Sequence, residues 1–337
     1  MTGIIEIAKA ANVSPSTVSR VIHNPELVSE EKRNQVLEVI NRTGYTPSNL
    51  GAGLRKAKTN NLVAIIPDVT SAFNYPVIRA IESIALENGY SLLLGDTQEL
   101  ESRERSFAAM ARSRQADGIL LFCANLPFDI DPDTPLSEQL PPLVNACEAI
   151  DLPGLPKVNI DNVAAAEEAV NYLISLGHKR IAAITGHVKS PSTQDRLKGY
   201  RYALRGAGIQ VDDALIEAGN YGLKDAEQAT RKLMSQPNRP TAIFNFSDEM
   251  AMSCLATLHD MGLRIPEDIS VMGFDDISYA EYCYPALTTV AQPMTEIGIE
   301  CMELLLPQLN GKKMEACNKI LPHRLMIRKS TGPAPAG

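Results

Sequence analysis

No run of this chain approaches the roughly 18 consecutive apolar residues that a membrane-crossing helix needs. The first residues combine no basic start, apolar stretch and small-residue cleavage site, so no export signal is expected and a cytoplasmic protein is. The six cysteines, at 123, 147, 254, 283, 301 and 317, form no C-x-x-C pair, and the five histidines, at 23, 178, 187, 259 and 323, fall in no metal-ligand spacing. Reduced core thiols and no metal are the expectation. No G-x-G-x-x-G follows an expected strand, no G-x-x-x-x-G-K-[ST] occurs, and no serine is framed as a nucleophile elbow. Neither a dinucleotide, a nucleoside triphosphate nor hydrolysis is signalled, so no cofactor and no enzyme activity are expected. A leucine heptad of the kind that ties dimers into tetramers is also lacking before Gly332-Pro333-Ala334-Pro335-Ala336-Gly337.

What is present is a chain of 337 residues, 45% hydrophobic and 21% charged, enough for two or three domains with a large core. Charge divides unevenly along it. Residues 1–60 carry eight Lys/Arg against five Asp/Glu, while the whole chain is −8, so a basic head precedes an acidic body. Such a head is drawn to phosphates that the body repels.

The head, 1–46, reads as three helices. Ile4, Ile7, Ala8 and Ala11 recur at helical spacing, and Val13, Val18, Val21 and Ile22 give the second helix an apolar side. That helix opens with Ser14 as N-cap and Pro15 at its first position. A third helix over about 30–42 starts after Ser29, points Val36, Leu37, Val39 and Ile40 inward, and ends at Gly44. Pro15, Ser16, Thr17, Ser19 and Arg20 stay outside, with Asn24 just beyond. Small hydroxyls, an amide and one Arg are residue types that approach base edges and phosphates, so Ser14, Pro15, Ser16, Thr17, Ser19, Arg20 and Asn24 are the candidate DNA contacts.

Residues 47–60 form a linker. From Leu62 onward short apolar runs alternate with amphipathic stretches. Strands are expected at 62–66, 91–94, 118–122 and 143–144, with helices near 75–87 and 99–114 between the first three. The cycle restarts with a helix at 163–176, strands at 181–184, 242–246 and 269–272, and helices near 195–206, 224–236 and 249–261. The expected fold class is α/β: a helix-turn-helix head, then two doubly wound parallel-sheet subdomains facing a cleft. Ligand contacts in such a body come from loops at the carboxyl ends of strands.

Several motifs stand in order along the chain: A-x-x-A-N-V-S-x-S-T-V-S-R-V from Ala8, N-Y-L-I-S-L-G-H-K-R-I from Asn171, G-L-R-I-P-E-D-I-S-V-M-G-F-D-D from Gly262 and P-A-L-T-T-V-A-Q-P from Pro285. On these the chain resembles the LacI/GalR family of ligand-responsive bacterial transcription regulators, from Ile4 to about Thr331. The runs Leu126-Pro127-Phe128-Asp129 and Leu140-Pro141-Pro142-Leu143-Val144 look most like the cytidine-repressor branch. The resemblance implies a periplasmic-binding-protein-like body, with 61–161 and 291–320 in one subdomain and 162–290 and 321–332 in the other. It implies a homodimer that binds a palindromic DNA operator, and a small-molecule effector that modulates this binding. Apolar residues on helices near 77–84 and 297–305 are the expected dimer face. The branch adds a nucleoside effector such as cytidine, and the cAMP receptor protein as a partner at promoters; a sugar or purine effector is the alternative. A solute-binding protein would share the body but not residues 1–60.

In the resembled family the linker becomes a hinge helix on DNA and wedges a Leu into the minor groove. Leu54 matches that Leu, with Arg55 and Lys56 beside it for phosphates. Gly51 and Gly53 depart from that pattern, since each costs a helix about 1 kcal/mol relative to Ala. Pro15 is a second departure, because it replaces a hydrogen-bonding side chain and shifts operator choice onto Ser16, Thr17 and Arg20.

The family's effector positions fall here on Phe73 and Tyr221 as aromatic walls, Arg196 as a donor fork and Asp275 as a carboxylate, with Ser192 and Ser247 as further polar contacts. Two aromatic faces can sandwich a flat base, while a carboxylate accepts vicinal hydroxyls and an Arg donates to oxygens. Plainer readings stand beside these. Phe73 and Tyr221 could be core aromatics, and Arg196 could pair structurally with Asp275, Asp161 or Asp276. Where some relatives place an Asp after the strand at 143–144, this chain has Ala146-Cys147-Glu148, so either Glu148 substitutes or the contact is absent.

Overall fold

The computed structural model describes residues 3–45 and 58–335, and the chain divides into two compact units, Met1–Thr59 and Asn60–Gly337. The first unit holds α1 (Ile4–Ala10), α2 (Pro15–His23) and α3 (Glu30–Thr43). Ile7, Ala8, Ala11, Val18, Val21, Val36 and Val39 form its core, as the apolar spacing predicts. Leu37 does not join them: it is 42% exposed, because helical rotation places it between the inward Val36 and Val39 and turns it to solvent. Asn12, with φ +49°, makes the turn between α1 and α2, and Gly44, with φ +63°, ends α3 as a left-handed cap. Leu54, Arg55 and Lys56, with the hinge glycines, lie outside the described residues.

The second unit contains two parallel sheets. In chain order the first carries β1 (Asn61–Ile66), α4 (Asn74–Glu87), β2 (Ser91–Asp96), α5 (Glu101–Arg112), β3 (Gly118–Leu121), α6 (Leu136–Gln139), β4 (Leu143–Ala146) and β5 (Lys157–Ile160). The second carries α7 (Asn162–Ser175), β6 (Ile181–Thr185), α8 (Pro191–Gly206), β7 (Ile216–Ala218), α9 (Leu223–Met234), β8 (Ala242–Asn245), α10 (Asp248–Asp260) and β9 (Ser270–Met272). The chain then passes through β10 (Thr289–Ala291), α11 (Met294–Leu309), β11 (Asn318–Leu321) and β12 (Arg324–Met326). Strand order is β11-β5-β4-β3-β1-β2 in one sheet and β7-β6-β8-β9 in the other, while β10 and β12 pair antiparallel by themselves. The chain thus crosses between lobes after β5, after β10 and after β11.

β1 is buried from Leu62 to Ile66, with helices on both sheet faces, which is why it reads as an unbroken apolar run rather than an alternation. Each Leu, Val or Ile in it contributes about 1.5–3 kcal/mol on burial. Helix α5 is shorter than its amphipathic stretch suggests, since Gln98 and Glu99 take positive φ before it. Helix α8 is longer than expected and begins at Pro191, behind a Ser190 N-cap that repeats the Ser14-Pro15 pattern.

Of the helices near 77–84 and 297–305, where a dimer face is expected, the inward side belongs to the lobe's own core, while Ile78, Ile84, Leu304 and Leu306 are only partly buried. Val77, Ile81, Ile297, Cys301, Met302 and Leu305 are all buried in one cluster, where α4 and α11 pack on each other. A Cβ at Gly298 would stand 2.5 Å from the Val77 carbonyl oxygen, so this glycine lets the two helices meet backbone to side. Apolar spacing locates a buried face but does not distinguish a lobe's own core from a subunit contact.

Candidate functional site

In the head, the start of α2 is a cluster of hydroxyls. Ser14 Oγ accepts from the Thr17 N–H at 3.2 Å and lies 2.8 Å from Ser16 Oγ and 2.9 Å from Thr17 Oγ1. Ser14, Pro15, Ser16, Arg20 and Asn24 are exposed, whereas Thr17 and Ser19 are half-buried. The expectation that both stand fully outside is therefore corrected: each lies on the flank of α2, next to the buried Val18. What the face presents is a helix N-terminus with hydroxyls and, down the same helix, Arg20. That suits an anionic backbone.

In the body, the carboxyl ends of both sheets point at each other. Arg196, on α8, donates through Nε to Asn162 Oδ1 at 2.9 Å and through Nη1 to the Phe246 carbonyl, and its Nη2 lies 3.8 Å from Asp275 Oδ1. Its guanidinium rests 3.7 Å from the Phe274 ring centroid. Asp275 follows β9 with φ +119° and accepts from Gln292 Nε2 at 2.8 Å. Of the three acidic partners weighed for Arg196, Asp275 is the one beside it: Asp161 caps α7 through Ala164 N–H, and Asp276 pairs with Arg328 at 2.7 Å.

Burial raises the Asp275 carboxyl to about 7, against the opposing pull of Arg196 and the Gln292 donor. Asp248, next to it, is pushed up as well, first by burial and then by the charge of Asp275. Two neighbouring buried carboxyls resist ionising together. Asp248 is structurally committed, accepting from Ile277 N–H at 2.9 Å and Thr289 Oγ1 at 2.6 Å. Ser247 spends its hydroxyl as the N-cap of α10, accepting from Met250 N–H at 3.2 Å.

One turn toward the start of α8 lies a second cluster. Tyr221, with φ +56°, shares its hydroxyl with Thr193 Oγ1 at 2.8 Å and stands 3.4 Å from Ser192 Oγ. A Cβ at Gly186 would lie 2.1 Å from the Tyr221 ring, so this glycine seats the ring flat against the end of β6. Phe73, half-buried, occupies the residue before α4. The structure therefore groups Arg196, Ser247 and Asp275 around Phe246 and Phe274, sets Ser192 with Tyr221 one turn along α8, and leaves Phe73 on the opposite lobe.

The lobes are joined directly across the cleft. Glu148 Oε1 accepts from Ser190 Oγ at 2.9 Å and Ser192 Oγ at 2.8 Å, and its Oε2 accepts from Ser192 N–H at 3.0 Å. His187 Nε2 meets Glu99 Oε1 at 2.5 Å, Ser71 Oγ donates to Glu249 at 3.1 Å, and Tyr75 Oη donates to Ser278 at 2.7 Å. The residues missed in the sequence include Asn162, Gln292, Ser190, Glu99, His187, Ser71, Glu249, Tyr75 and Ser278. Only Ser190 carried a legible signal, the Ser-Pro start of a helix.

Among the described residues no group of three or more His, Cys, Asp or Glu is placed to hold a metal ion, and no helix is long and apolar enough to cross a membrane. Residues 3–48 match the model of bacterial regulatory proteins, lacI family, and residues 170–331 match a periplasmic binding protein-like domain. The chain is 40% identical to the HTH-type transcriptional repressor CytR of Escherichia coli (strain K12) over 98% of this chain and 96% of that protein. It is 35% identical to catabolite control protein A of Priestia megaterium, over 97% and 98% respectively. A solved complex of the transcriptional regulator CelR with cellobiose superposes with a TM-score of 0.71 at 29% identity, covering 98% of this chain and 100% of that one. These relatives are regulators and not enzymes, and on the head, the body and the likeness along nearly its whole length the chain belongs to the lacI family of bacterial regulatory proteins.

Proposed function

We propose that this DNA-binding regulator is a repressor whose grip on a palindromic operator is set by a nucleoside such as cytidine bound between the two lobes. The observation that carries the reading is the pair of Arg196 on α8 and Asp275 beyond the end of β9, with Ser192 one turn away on α8 and the Tyr221 hydroxyl beside Ser192. Asp275 supplies an acceptor for ribose hydroxyls, Arg196 a donor for ring or sugar oxygens, and Tyr221 and Phe73 flat apolar surfaces. The 40% identity to CytR supports the same choice. Pro15, Ser16, Thr17, Ser19, Arg20 and Asn24 are assigned to DNA with Ser14, Leu54 to the minor groove and Arg55 to phosphates beside it.

The lobes divide at 161, 291 and 321, so ligand in the cleft changes the angle between them. A homodimer carries that change to two heads, since one head by itself cannot read a palindrome tightly. Couplings of this kind amount to about 1–3 kcal/mol, or several-fold to about a hundredfold in operator affinity. The protein acts in the cytoplasm, with the cAMP receptor protein as its partner at promoters.

A sugar is the second reading, favoured by the likeness to the CelR–cellobiose complex. Calorimetric titration with cytidine, uridine, adenosine, guanine, hypoxanthine and common sugars separates the two. Heat with cytidine or uridine alone is expected. Binding of a sugar alone discards the nucleoside and keeps the regulator, and an intact protein that ignores every palindromic promoter fragment discards both.

A further inference from the structure

The Glu148 side chain leaves the end of β4 in one lobe and lands on the first turn of α8 in the other, where it takes three hydrogen bonds from Ser190 and Ser192. Ser190 and Ser192 are both buried, and Ser192 also stands beside the Tyr221 hydroxyl. The place where an oxyanion of a ligand would find a backbone N–H, two hydroxyls and the positive end of a sixteen-residue helix already holds the protein's own carboxylate. Other charges around the cleft do not reverse this. Glu99 and Glu249 reach in from either side of the gap, and the Arg196 guanidinium is engaged by Asn162, the Phe246 carbonyl, the Phe274 face and Asp275.

We propose that Glu148 is a specificity-determining residue that restricts the cleft to uncharged ligands and refuses their phosphate esters. This rests on the nucleoside reading for the identity of the ligand, but the role of Glu148 extends to any polyol with a phosphorylated counterpart. A phosphate entering at the start of α8 meets a like charge, and the Ser190 and Ser192 donors it would need are already spent on Glu148. A neutral ligand instead offers a hydroxyl or amine that the same carboxylate accepts.

The test uses the full-length protein and its E148Q and E148D variants. Each is titrated calorimetrically with cytidine and cytidine 5′-monophosphate, and with ribose and ribose 5-phosphate. Each is also unfolded by heat in sodium phosphate and in sodium chloride of equal ionic strength. The wild type and E148D are expected to prefer the neutral member of a pair by about a hundredfold or more, and E148Q to narrow that preference by about tenfold. Phosphate is expected to raise the unfolding midpoint of E148Q beyond the general salting-out rise it gives the wild type and E148D. An unchanged preference in E148Q, or an equal response of all three proteins to phosphate, overturns the assignment. If only the ribose pair binds, the nucleoside reading fails and Glu148 is judged on that pair; if neither binds, the phosphate melts decide it.

Discussion

The guanidinium of Arg196 sits over the ring of Phe274, 3.7 Å from its centroid, while reaching to 3.8 Å from the carboxylate of Asp275. An aromatic face and a carboxylate from consecutive residues hold one cation, which fixes the orientation of the fork before any ligand arrives.

Removing that cation leaves Asp275 buried without its charge partner. Breaking such a pair costs about 3–5 kcal/mol when the remaining charge cannot escape, but a carboxyl already pushed up to about 7 escapes by protonating. R196M is therefore expected to lose about 2 kcal/mol in urea unfolding, and R196M/D275N to recover most of it. Equal losses in the single and double variants would show that the pair is not coupled.

The same carboxyl makes stability and ligand binding depend on pH in opposite senses. A carboxyl that titrates higher in the folded state holds its proton there, so this group's contribution falls as pH rises from the ordinary carboxyl range to about 7. Ligand hydroxyls need the ionised form, so nucleoside affinity is expected to strengthen as pH rises through 7. Asp248, Glu249, Arg196 and Gln292 surround the group and shape the same curve. Calorimetry from pH 6 to about 8 should show the slope in the wild type and a flat profile in D275N.

At the start of α2 the Ser14 hydroxyl caps the helix assigned above to DNA. S14A is expected to destabilise the head by about 1 kcal/mol and to weaken operator binding in fluorescence anisotropy. R20A should leave the melting curve in place while lowering the salt dependence of binding by about one phosphate contact. An unchanged salt slope removes Arg20 from the DNA face.

Two glycines of α8 are expected to respond oppositely to one methyl group. A Cβ at Gly199 would lie 2.2 Å from the Val163 carbonyl oxygen, and a backbone atom in packed α7 has no room to retreat. G199A should lose about 2–3 kcal/mol. At Gly206 the same atom meets nothing within 4 Å, so G206A should be neutral or gain about 0.5 kcal/mol from helix propensity. Chemical unfolding of both variants checks the pair.

Gly51 and Gly53 are expected to hold the hinge back from helix formation until the operator is bound. Each replacement by Ala returns about 1 kcal/mol of helix propensity, so G51A/G53A should bind the operator severalfold more tightly. Unchanged or weaker affinity counts against a hinge that folds on DNA.

Much of this molecule is written in short range. Ser14-Pro15 starts a helix because an N-cap hydroxyl and a ring with fixed φ act within three residues, and Gly44 stops one for an equally local reason. The run 62–66 announces a strand covered on both sides. The ordered motifs from Ala8 to Pro293 then carry the family and its two-lobed body. Those same local signals are silent on which apolar face meets which, and so Val77 and Ile297 could be read as a subunit contact when α4 and α11 bury them against one another.

The choice of partners across the cleft belongs to the tertiary structure. Arg196 selects Asp275 over Asp161 and Asp276 because α8, β9 and the crossover at Gln292 converge, a relation between strand ends that no spacing encodes. Glu148, left open between ligand contact and none, finds Ser190 and Ser192 only once the two sheets turn their carboxyl ends toward each other. Helix and strand formation depend on neighbours a few residues away, whereas a buried charge is settled by whatever distant groups the packed lobes bring within reach of it.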